Sequence, residues 1–152
     1  MQRLTKFLLV QPHSRTVDLG LFVLRVGVSL LMIPHGWKKL QRLKEGAGDF
    51  YNFLGLGSEA SLLMIVIAEF FCSILLILGI GTRFILIPLI IGMIVIVFMV
   101  HSDDPLGDKE GGLLFLIPYL ALFIMGPGKY SLDYLIFGKT MLDSEAKARL
   151  YF

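Results

Sequence analysis

The chain has 152 residues, of which 56% are hydrophobic and 17% charged, with a formal net charge of +2 and a mean hydropathy of +0.78. Such hydropathy lies outside the range of a soluble globular domain. No basic stripe with interleaved aromatics is present, which argues against a nucleic-acid partner and leaves the lipid bilayer as the first one.

Residues 1–17, "MQRLTKFLLVQPHSRTV", carry an apolar run too short for a secretory leader and no small-residue cleavage site. They read as an interfacial N-terminal arm. A membrane span needs about 20 mostly apolar residues, and four such segments follow, at about 18–40, 60–79, 83–101 and 110–126. The expected fold is therefore an all-α integral membrane protein, a four-transmembrane-helix antiparallel bundle forming one membrane domain over 18–134. The connections agree. "LGIGTRF" (78–84) supplies Gly79 and Gly81 for a tight reversal and Arg83 as an interfacial anchor. "HSDDPLGDKEGG" (101–112) is too polar to stay in hydrocarbon. "GPGK" (126–129) ends the fourth span because Pro127 cannot continue a helix. Residues 135–152 alternate apolar and charged positions and read as an amphipathic cytoplasmic tail.

Two charges interrupt the apolar runs. Arg25 stands in "LFVLRVGVSLLMI" and Glu69 in "LLMIVIAEFFCSILLIL". A lone charge in mid-bilayer costs roughly 2.5 to 3.5 kcal/mol, so each needs a partner. Helical rise puts the two at levels that their side chains can bridge across the first helix pair. The expectation is an Arg25–Glu69 pair, either a structural lock or a proton or ligand site. His35 in "MIPHGWKKL", His101 and Glu110 gather near the surface opposite the termini and are expected around one polar opening, from which a ladder runs inward to Glu69 and Arg25. These five residues are the candidate ligand-binding or proton-handling set.

Other chemistry finds less support. Cys72 is the sole cysteine, so no disulfide, CxxC pair or thiolate cluster can form within the chain, and a packing role is expected. His35 and His101 have no recognised metal or haem spacing. Orientation rests on basic residues. Eight of them, from Arg3 to Arg149, share the side of the termini, against five (Lys38, Lys39, Arg42, Lys44 and Lys109) on the other. That bias places both termini in the cytoplasm.

The segments "LRVGVSLLMIPHGWKKL", "AEFFCSILLILGIGTRF" and "EGGLLFLIPYLALFIMGPGKYSLD" resemble the blocks of the DoxX family of small four-helix bacterial membrane proteins. The likeness covers about residues 18–134. Its features fall on Arg25, His35, Gly36 and Lys39 in the first block, on Glu69, Gly79, Thr82 and Arg83 in the second, and on Gly126 through Asp133 in the third. The resemblance implies an accessory subunit of a membrane oxidoreductase system, quinone-linked or tied to redox and sulfur stress, with quinone as the implied cofactor and a soluble or membrane redox protein as partner. Since no motif in the chain carries electrons by itself, a stand-alone enzyme is not expected. Two alternatives remain open: a small proton-coupled carrier, which at this size would work as a homodimer, and a scaffold whose charges only hold the bundle together.

Overall fold

The computed structural model describes residues 13–138, so most of the expected arm and tail lies outside the described residues. Among these residues all regular structure is helical. Four long helices follow one another: α1 (Arg15–Glu45), α2 (Ser58–Leu78), α3 (Thr82–Val100) and α4 (Leu106–Met125). The end of the molecule holding the start of α1 and the α2–α3 turn is termed proximal, and the end holding Glu45 and Ser58 distal.

Three helices, α1 to α3, are long and apolar enough to cross a membrane. The fourth has 20 residues, but Asp108, Lys109 and Glu110 load its first turns with charge. Helix is the necessary form here, because hydrocarbon offers no partner for backbone amides and a helix satisfies them internally.

Local sequence accounts for the ends of these helices. Ser14 caps α1 by accepting from the Val17 amide at 3.4 Å, and Asp18 in the first turn complements the helix dipole. The distal loop before α2 is tied by its own side chains. Asn52 Oδ1 accepts from the Gly57 amide at 2.8 Å, and Ser61 Oγ accepts from the Phe53 amide at 2.9 Å while donating to the Gly57 carbonyl at 2.7 Å. Gly79 and Gly81, both left-handed with φ of 69° and 56°, make the reversal between α2 and α3.

The larger interior cluster draws on all four helices and comprises Leu21, Val28, Met32, Cys72, Leu76, Leu86, Leu89, Met93, Leu116, Tyr119 and Leu122, and a smaller distal one joins Ala47, Leu62 and Val66. Cys72 is buried in the larger one, free of any disulfide. Buried positions on α1 fall at Leu21, Arg25, Val28, Ser29, Met32 and Gly36, a helical stripe. Many large apolar side chains, Val23, Leu31, Phe84, Phe98 and Ile117 among them, face outward instead. A soluble protein does not expose so much apolar surface, whereas one solvated by lipid does. Two long helices depart from α geometry within their runs: Ile67–Cys72 of α2 and Ile96–Val100 of α3 are π-helical. Such segments introduce an extra residue per turn and recur at functional sites.

Candidate functional site

The close crossing of α1 and α2 begins at Gly36. A Cβ there would stand 2.6 Å from the Phe70 amide nitrogen and 2.8 Å from the Glu69 carbonyl carbon, so only glycine lets the backbones meet this closely. One turn further along the same face lies Lys39. Its ammonium reaches both carboxylate oxygens of Glu69 at 2.6 Å. Glu69 is 1% exposed and its partner's side chain 25%, so the pair has one desolvated and one half-wet member. The π-helical stretch carries Glu69 and sets the direction in which it faces.

The expected Arg25–Glu69 pair is not formed. About 15 Å of helix axis separates Glu69 from Gly79, and Arg25 lies against Gly79, where a Cβ would overlap its guanidinium. Arg25 Nη2 donates to the Tyr130 carbonyl, and Asp133 is the opposing charge that acts on it. The sequence-level arithmetic gave comparable depths, but depth along two helices does not say which faces meet. A lysine near a helix end ordinarily turns its flexible stem outward to the interface. Here the same stem turns inward. The signal was present in the Gly36-x-x-Lys39 spacing, which puts both residues on one face.

At the proximal end the segment after α4 folds back and joins three elements. Asp133 accepts from the Gly81 and Thr82 amides at 2.7 and 2.9 Å, capping α3, and its own amide donates to the Gly79 carbonyl at 2.9 Å. Arg83 donates to the Phe123 and Ile124 carbonyls at 2.9 and 3.1 Å, satisfying the end of α4. The Asp18 carboxylate takes the Lys129 amide at 3.1 Å and its ammonium at 3.4 Å. Arg25, Gly79, Thr82, Arg83 and the 126–133 segment, scattered in sequence, thus meet in one latch.

The remaining candidates do not come together. His35 is exposed and packs edge-on against Phe115 at 5.6 Å between ring centroids. His101 is held by Asp104 at 2.7 Å in the α3–α4 turn. Glu110 is exposed on α4. No described hydrogen bond or ion pair joins these three. Among the described residues no three His, Cys, Asp or Glu side chains assemble as a metal-binding group.

A cavity of about 380 Å³ lies elsewhere, between α2, α3 and the distal loop. Phe50, Tyr51 and Phe53 line it from the loop, Met64, Ile67 and Ala68 from α2, and Pro88, Val95, Ile96 and Val100 from α3. Both π-helical stretches contribute to its wall. Ile67 and Ala68 directly precede Glu69, so α2 carries the cavity wall and the ion pair within one turn.

These features define an all-helical, multi-pass membrane protein with a buried ion pair beside an apolar cavity. The family model for DoxX matches residues 20–102, more than half of the chain, and the protein belongs to the DoxX family. No curated protein and no solved structure matches the chain.

Proposed function

We propose that the protein is an accessory membrane subunit of an oxidoreductase system, binding a quinone-like amphiphile in the α2–α3 cavity while a partner protein supplies the redox centre. The observation that carries this reading is the apolar, aromatic-lined cavity of about 380 Å³, a size suited to a small apolar ring with part of its tail. In this reading all four helices cross a bacterial inner membrane, with the proximal end cytoplasmic. On the same reading the ligand enters from the lipid, between α2 and α3.

The protein purified in mild detergent should yield a quinone in its lipid extract by mass spectrometry, and Val95→Trp, which fills the cavity, should abolish that yield without loss of folding. An extract free of quinone, from a preparation that binds none when it is added, overturns the reading. A proton-coupled carrier is the second reading, favoured by the desolvated Lys39–Glu69 pair. Solute uptake by proteoliposomes that is lost in Glu69→Gln would establish it in place of the first.

A further inference from the structure

Three hydroxyls enter the centre of the bundle from three different helices. Ser29 on α1, Ser73 on α2 and Tyr119 on α4 have no accessible surface; the Ser29 oxygen has no hydrogen-bond partner, and those of Ser73 and Tyr119 approach only each other, without the geometry of a full hydrogen bond. The Tyr119 oxygen neighbours Ser73 and interacts with the Glu69 charge. Antiparallel packing, with Gly36 at the level of Glu69 and Arg25 at that of Gly79, puts Ser29 between Ser73 and Gly79. Arg25 continues the column, fully buried and with Nε and Nη1 also unpartnered. One orphaned hydroxyl is a packing cost that a fold can carry. Several along one interface are the pattern that buried water satisfies, since each water there finds the two to four polar partners it needs.

The surroundings restrict which groups can exchange protons. Lys39 faces Glu69 from α1 and Tyr119 from α4, while His35 is turned to Phe115. Between Arg83 and His101, α3 has no titratable side chain, and its core contributions Leu89 and Met93 are apolar. Of these groups Glu69 is the buried carboxylate that meets the column.

We infer that Ser29, Ser73 and Tyr119 enclose a file of bound water, that Glu69 is its proton-exchanging group, and that the file opens distally through Lys39 and is closed proximally by Arg25. A proton arriving from the distal side forms an O–H bond on the Glu69 carboxylate, and Lys39 keeps its ammonium and turns to distal water. The reverse transfer returns the proton to water and restores the pair. Water and hydroxyls each accept one hydrogen bond and give another, so none changes its net protonation. Beyond Ser29 the guanidinium, which does not deprotonate, repels an excess proton, as fixed arginines do in water pores. This inference is independent of what occupies the apolar cavity.

Two measurements test it. Radiolytic footprinting of the parent protein in nanodiscs, in which X-rays activate bound water, should oxidise Tyr119 despite its burial. Infrared spectra of sided proteoliposomes should contain a carboxylic C=O band that Glu69→Gln removes and that follows the pH on the distal side alone. Shape-conserving Ser29→Ala with Ser73→Ala, which removes two of the hydroxyls that hold the water, should abolish the oxidation of Tyr119 while leaving the distal pH response of the band in place. An unoxidised Tyr119, or a Glu69 band that follows proximal pH, overturns the inference.

Discussion

At the scale of single residues, the Lys39–Glu69 pair governs what substitution does. A carboxylate with 1% exposure has the Lys39 ammonium as its charge partner, and breaking a buried pair costs about 3 to 5 kcal/mol, whereas apolar replacement of both members is often near neutral. Lys39→Ala alone should therefore lower thermal stability in detergent sharply, and Lys39→Met with Glu69→Leu should recover most of the loss. Arg25→Leu combined with Glu69→Gln should give additive losses, because the two residues do not touch. Thermal unfolding of these variants checks both statements. Gly36→Val should be as harmful as losing Lys39, since a Cβ only 2.6 Å from backbone forces α1 and α2 apart and takes Lys39 out of reach. That Glu69 needed a cation was legible in the sequence, because an isolated charge in an apolar run is costly wherever it sits. Which cation answers it was not legible, because Arg25 and Lys39 both lie on α1 and only the crossing point at Gly36 separates their roles.

At the scale of elements, α3 depends on a residue some fifty positions away for its N-terminal cap. Asp133 satisfies two amides of the α2–α3 reversal and also sits near Arg25 and Arg83. Removing a capping carboxylate costs about 0.5 to 2 kcal/mol, and here the two arginines lose their counter-charge as well. Asp133→Ala should thus cost more than an ordinary cap, and Asp133→Asn, which keeps an acceptor but no charge, should fall between it and the parent. Chemical denaturation of the three proteins in one detergent measures the order. The sequence marked "GPGKYSLD" as the stop of a helix, and that local meaning holds: α4 ends at Met125 with Gly126 beyond it. Its second role as a latch could not be read, because a side chain's distant partners depend on how the loop folds back.

At the scale of the whole molecule, the proposal of four crossings places Ser14 and Tyr130 on one side of the membrane and Asn52 and Asp104 on the other. In a Cys72→Ser background, single cysteines at these four positions should label in two pairs with a membrane-impermeant thiol reagent. Labelling of positions 104 and 130 from the same side would leave α4 lying along the surface, with three crossings. Hydropathy alone determined that the chain is a helical membrane protein, and its blocks of motif residues determined the family, because burial in lipid and backbone hydrogen bonding are settled within each segment. The partners of the buried charges, the buried hydroxyls of Ser29, Ser73 and Tyr119, and the cavity beside the π-helical stretches were decided only by tertiary structure. Each depends on how far a helix is rotated about its axis, and an extra residue in a turn, as at Ile67–Cys72, changes that rotation without leaving any trace in composition or hydropathy.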